Sequence, residues 1–240
     1  MCGRDEGGDP LVLDWIHLSW IFHTNYSWER GKHAMIMAPF GSGKSSCFAV
    51  PLAAWLIGNN VQSRVKFVCN GDDFAKQRVA AAKEIMQGAV YKDVFPHLRR
   101  GKKWSDHELF VAREGNALDP SIHARGILTK GIGGRADFLI FDDICDQLNT
   151  EEPGLRMKTK KFARGTWMSR LDGTSARALY IATPWHPDDA THDFWQDGSW
   201  CTLRQPVARD KHAYEQVVYN AGPDYEALLL AFLKAHGLQI

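Results

Sequence analysis

The chain has 240 residues, 45% hydrophobic and 24% charged, the balance of a globular protein with one sizeable core. Twenty-nine basic against 28 acidic residues leave a net charge of +1, which excludes a uniformly basic coat for nucleic acid but not a local basic strip. The longest apolar run, residues 48–57, is broken by Pro51 and falls short of the roughly 20 residues of a membrane span. The start of the chain is acidic and glycine-rich, without the apolar core of a signal peptide. Five scattered cysteines, an odd number without metal-knuckle spacing, read as reduced thiols of an intracellular protein.

Apolar spacing predicts a helix over residues 11–22 and a buried strand over 33–37 that enters a glycine-rich turn. A helix over 44–57 follows, then a strand over 65–69. Asp72 or Asp73 is expected to cap a helix over 74–87. Residues 98–103 read as a basic loop, and 109–113 with 122–129 as a hairpin or two edge strands. A continuous apolar strand over 138–141 ends in Asp142 and Asp143. Residues 155–171 read as a basic helix interrupted by Gly165, 177–182 as a buried strand, 203–207 as a last strand and 225–236 as a terminal helix. Short apolar strands alternating with helices imply an α/β fold with a mainly parallel central sheet flanked by helices. The chain divides into an N-terminal helical segment (1–24), a core (25–207) and a C-terminal helical tail (208–240). That tail is too short for a further domain.

Ala38-Pro39-Phe40-Gly41-Ser42-Gly43-Lys44-Ser45 matches a phosphate-binding loop except for Ala38 at the first glycine. Gly41 and Gly43 let backbone N–H groups converge on phosphate, and the following helix points its positive end there. The nucleotide-binding set is Pro39, Phe40, Gly41, Ser42, Gly43, Lys44, Ser45 and Ser46. Lys44 is expected to reach the β- and γ-phosphates of ATP, and the Ser45 hydroxyl to ligate Mg²⁺. About 100 residues on, Phe138-Leu139-Ile140-Phe141-Asp142-Asp143 buries four apolar residues and presents two acids at a carboxyl edge, where α/β sheets bind ligands. Asp142 is assigned to the Mg²⁺ shell and Asp143 to general-base activation of water. A third strand ends at Thr183, placed to sense the γ-phosphate. His186 beyond it reads either as a site residue or as a turn residue.

The segments APFGSGKSS, NGDDFAKQRV, VYKDVFPHL, GIGGRADFLIFDDICD and ARALYIATPWHPDD, in this order over about residues 25–207, resemble the large terminases that package DNA into phage heads. That resemblance implies a P-loop ATPase of the RecA-like class that drives viral double-stranded DNA into a procapsid at the portal, in the host cytoplasm. Thr183 would couple hydrolysis to DNA movement. The implied partners are the DNA, the portal protein, a small terminase subunit and further copies in a ring, five by analogy. An arginine from a neighbouring subunit would complete the site. Arg135 resembles that position, with Arg125 in reserve. Phe40 departs from the family, which often has arginine there. The family's nuclease domain is not expected in this chain, and a separate nuclease chain is one way to supply it.

Residues 151–177 carry seven basic against three acidic side chains, and Arg99, Arg100, Lys102 and Lys103 form a second cluster. Both are candidate contacts to a phosphate backbone, or solvated faces. The competing readings are a helicase-type ATPase, which would need a second RecA-like domain, and a nucleotide-binding assembly or DNA-binding protein that does not hydrolyse.

Overall fold

A computed structural model of the chain describes residues 13–115, 118–129, 133–205 and 216–238. Nine strands among these residues form one sheet. They are β1 (His33–Met37), β2 (Val65–Cys69), β3 (Arg100–Trp104), β4 (Glu108–Val111), β5 (Ile122–Gly126), β6 (Phe138–Asp142), β7 (Arg177–Ala182), β8 (Trp200–Arg204) and β9 (Val217–Tyr219). Their order across the sheet is β3-β4-β5-β2-β6-β7-β1-β8-β9. The six from β5 to β8 run parallel, and antiparallel partners close both edges.

The central strands are apolar without interruption because both faces are covered. The two-residue period of a strand sorts their side chains. Phe67, Ile140, Leu179 and Ile181 face one core with Trp20, Phe48, Ile57 and Val79. Val68, Leu139, Phe141 and Tyr180 face the other with Trp167, Phe194 and Trp200. The first face carries α1 (Trp15–Glu29), α2 (Val50–Asn59) and α3 (Asp72–Gln87), with α4 (Ala89–Val94) after α3. The chain from α5 (Gln147–Glu151) through α6 (Pro153–Lys161) to Arg170, together with α7 (Ala190–Trp195), lies on the second. The last helix is α8 (Tyr225–Ala235).

The expected α/β sheet is present, with several local differences. The first helix starts at Trp15, because Asp14 caps it in a capping box with His17, and it runs on to Glu29. Residues 11 and 12 of the predicted helix lie outside the described residues. Neither Asp72 nor Asp73 caps α3. Gly71 holds the cap position, and Asp72 instead accepts from the Gly126 N–H (2.8 Å) and the Thr129 hydroxyl (3.2 Å). The basic loop at 98–103 is largely strand β3, whose charged side chains suit an exposed sheet edge. β5 is an interior strand rather than an edge, since β2 pairs with it on the far side. The basic helix at 155–171 is α6, then a π-helical segment Phe162–Trp167 around Gly165, then a 3₁₀ turn Met168–Arg170. The last predicted strand lies earlier, as β8, and residues 206 and 207 fall outside the described residues. The sheet and core cross the expected divisions. The 24/25 boundary falls inside α1, β9 pairs with β8, and Tyr225 of α8 packs on Phe22 and Tyr26 of α1. Among the described residues no helix is long and apolar enough to cross a membrane.

Candidate nucleotide site

Strands β6, β7 and β1 are neighbours and end together, so the segments after them converge at one carboxyl edge. The loop after β1 turns twice through left-handed backbone, at Gly41 (φ 73°) and Gly43 (φ 76°). Gly43 is required twice over. A Cβ there would lie 2.8 Å from Cys47 Sγ and 3.1 Å from His17 Nε2. A π-helical segment, Lys44–Ala49, follows and leads into α2. The loop braces itself: the Ser42 hydroxyl donates to Pro39 O (2.7 Å). His17 ties α1 to it. Its Nδ1 accepts from the Asp14 N–H (3.0 Å), which leaves Nε2–H to donate to Ser42 O (3.0 Å).

Lys44 is 5% exposed. Its ammonium donates to Ala38 O (3.1 Å), Pro39 O (2.9 Å) and Thr183 Oγ1 (2.9 Å), and stands 3.8 Å from Asp143 Oδ2. Burial pushes its pKa down, against the pull of Asp143 and Asp142. Asp143 has left-handed backbone (φ 46°), a strained conformation for a residue with a side chain. Its N–H donates to Ile181 O (3.0 Å) and its Oδ1 accepts from the Thr183 N–H (2.9 Å), which aims the carboxylate at Lys44. Burial raises its pKa, opposed by Lys44 and helped by Asp142. Asp142 is buried at the end of β6, and its Oδ1 accepts from the Ser45 hydroxyl (2.7 Å).

The structure thus brings together Pro39, Lys44, Ser45, Asp142, Asp143 and Thr183. Phe40 and Ser46 lie at the rim. Phe40 is 64% exposed, and its ring packs edge-on against Trp185 with its centre 5.4 Å from the Lys44 ammonium. Ser46 is exposed. Arg135 is not part of this cluster. It lies before β6, at the amino edge of a strand about 16 Å long. There its N–H donates to Asp119 (3.1 Å) and its guanidinium to Ser169 O (3.3 Å). Arg125 is on β5, two strands from β6, lining a separate polar cavity with Lys66, Asp72 and His123. His186 serves a turn: its Nδ1 accepts from the Asp188 N–H (2.9 Å), and its own N–H donates to Asp189, which caps α7. Three of the seven basic residues at 151–177 are paired with that turn, that helix or a residue just after it, through Arg156 and Lys160 to Asp188, Lys160 to Asp193, and Arg164 to Asp197.

The sequence reading missed Arg78. From α3 its Nε donates to Asp142 Oδ2 and its Nη2 to Ser45 Oγ (3.1 Å). The signal was present in outline. β2 adjoins β6, so the helix after β2 begins at the same carboxyl edge, and a long side chain two turns in leans back toward that edge.

The residues present suit a nucleotide and a divalent cation. Two glycine-enforced turns leave the loop open, with nothing near a Cβ at Gly41. Ser45 and Asp142 offer hard oxygen ligands side by side. Among the described residues no group of three or more His, Cys, Asp or Glu side chains is placed to hold a metal alone. Two adjacent hard oxygen ligands suit Mg²⁺, which completes its shell with phosphates and water.

No curated protein matches the chain. The crystal structure of the HK97 bacteriophage large terminase resembles it in fold, with TM-score 0.55 and 11% identity over 87% of this chain. The chain spans 42% of the length of that structure. The family model for the N-terminal part of the terminase large subunit, T4likevirus-type, matches residues 35–231, which include the loop, both acids and Thr183. The chain therefore belongs to the terminase large-subunit family, in its N-terminal region.

Proposed function

We propose that this chain is the ATP-hydrolysing motor part of a large terminase, turning over Mg²⁺·ATP to move viral double-stranded DNA into the procapsid. One observation carries the reading: Lys44 and Asp143, from different strand ends, are both held by Thr183 from a third. Lys44 exchanges its loop carbonyls for phosphate oxygens. The loop N–H groups and the helix start after Gly43 stabilise the phosphate charge. When bound, the divalent cation would neutralise charge on the transferred phosphoryl group, and Ser45 and Asp142 would hold it. Asp143, unprotonated, orients water and takes its proton. Its raised pKa makes it a stronger base than an ordinary carboxylate.

Thr183 touches both the cation that reads phosphate and the base, so a change at either reaches the segment after β7. Family membership supports DNA, a portal protein and a small subunit as partners. It likewise supports a ring of copies in which a neighbour's arginine completes the site. Arg135 is exposed and away from its own chain's site, which suits action on another copy.

The test is steady-state ATP hydrolysis over a protein concentration series, with and without double-stranded DNA, in the native chain, Lys44→Ala and Asp143→Ala. Turnover that rises with concentration or DNA and vanishes in both variants supports the reading. Turnover retained in both variants, or tight ATP binding without turnover under every condition, overturns it.

A further inference from the structure

We propose that Arg78 is a built-in rival of the divalent cation, closing the metal position until metal and nucleotide arrive together. This rests on the nucleotide reading above and adds to it a control on loading.

Asp142 ends β6 beside Ser45. Its side chain is buried, and a buried carboxylate needs a counter-charge. Among the described residues Arg78 alone forms an ion pair with it. The guanidinium does more than neutralise. It bonds Asp142 Oδ2 through Nε and Ser45 Oγ through Nη2, while Ser45 Oγ itself bonds Asp142 Oδ1. One planar fork therefore engages both oxygen ligands assigned to the metal. Burial works against the charge on Arg78, but Asp142 and the other acidic groups nearby hold the guanidinium pKa above its usual value.

Arg78 is held in place by its helix. Ala75, Val79 and Ala82 bury one face of α3 in the core, and Arg78 leaves that face toward the sheet edge. A metal that takes Asp142 and Ser45 must displace the fork. A cation alone gains only two protein ligands for this, whereas a cation on ATP also brings phosphate ligands and the contacts of the loop.

The experiment measures Mn²⁺ binding, by electron paramagnetic resonance of the free ion, to the native chain, Arg78→Ala and Arg78→Gln without nucleotide. The glutamine variant keeps an amide donor of similar reach but no charge, so it serves if the alanine variant fails to fold. Circular dichroism melts identify the folded chains. We expect folded Arg78 variants to bind Mn²⁺ at least about tenfold more tightly than the native chain, since a charged donor no longer competes. Asp142→Asn added to either variant should abolish the gain. A merely structural role for Arg78 would weaken binding or leave it alone.

Binding of a fluorescent ATP analogue with Mn²⁺ is followed in the same samples. If the native chain binds it and Mn²⁺ affinity is the same in native and variant chains, the rivalry is overturned and the nucleotide reading stands. If no chain binds the analogue, the nucleotide reading falls, and the rivalry with it.

Discussion

At the amino end of β6, Asp137 receives Arg64 through its backbone N–H (2.8 Å), Nε (3.1 Å) and Nη2 (2.7 Å), with Asp172 and Asp119 close by. At the carboxyl end, Asp142 and Asp143 face Arg78 and Lys44. Both ends carry acids and bases, yet their titration is perturbed for different reasons. Arg64 is held above its usual pKa chiefly by its bond to Asp137. Lys44 is pushed down and Asp143 up chiefly by burial. The first set is satisfied within the chain and stabilises the fold. In the second, Arg78 and Asp142 pair with each other, but burial opposes the charge on both Lys44 and Asp143. That difference, together with the glycine-rich loop beside it, is the basis for proposing the carboxyl edge as the working one.

The largest effect that could break this comparison is at Asp143. Asp143→Asn is expected to lower single-turnover ATP hydrolysis about a thousandfold while nucleotide binding stays within a few-fold. Its melting temperature at neutral pH should not fall. A carboxyl whose folded pKa is raised loses stability as pH rises through the window up to that pKa, and asparagine escapes this cost. A marked drop in melting temperature would mean that Asp143 supports the fold as Asp137 does.

Arg64→Ala should behave in the opposite way. It removes two of the three donors to Asp137, the backbone N–H being kept, and takes the counter-charge from a partly buried carboxylate. The pairs are partly solvated, with side chains 23–48% exposed, so the loss is set below that of a deep ion pair, at about 2 kcal/mol in chemical denaturation. Nucleotide affinity should be unchanged. Weakened nucleotide binding with intact stability would erase the distinction between the two ends.

His23 shows that a shift caused by burial does not by itself mean function. It is fully buried on α1 between Tyr225 (3.0 Å) and Cys201 O (3.1 Å), and burial lowers its pKa to about 4. Between the unfolded value of 6.5 and about 4 the unfolded chain binds the extra proton, so stability is present above pH 6.5 and is lost as pH falls. From pH 7 to pH 5 this group contributes a loss of about 2 kcal/mol. Denaturant melts at the two pH values should show it, with a shallower dependence in His23→Gln. No such pH step in the native chain would mean that His23 is protonated in place.

The two ends were not equally legible in the sequence. The loop, the Asp-Asp strand end and Thr183 could be read because each is local: a glycine spacing, an apolar run, a polar stop. Their convergence followed from strand ends sharing one edge. Arg78 could not be read in that way, because its role depends on β2 lying beside β6, which is a matter of strand order. The amino-end cluster was hidden for the same reason, with Arg64, Asp119, Asp137 and Asp172 coming from four separate segments. The basic run at 151–177 was only partly legible. Its composition shows charge, but Asp188, Asp193 and Asp197 meet Arg156, Lys160 and Arg164 only after folding.

His17 connects the two kinds of region, since it belongs to the fold by position and to the site by contact. It closes the capping box of α1 with one nitrogen and holds the phosphate loop at Ser42 O with the other. His17→Ala removes one hydrogen bond at each place, each worth about 1 kcal/mol. The cap loss lowers stability whatever the ligand. The loop loss acts only through the order of the loop proposed to receive phosphate, and should weaken binding of a fluorescent ATP analogue about fivefold. Asp14→Ala removes the cap carboxylate and leaves the bond to Ser42, so it should lower stability similarly but spare affinity. Equal loss of affinity in both variants would show that α1 acts on the loop through its stability as a helix rather than through the single bond from Nε2.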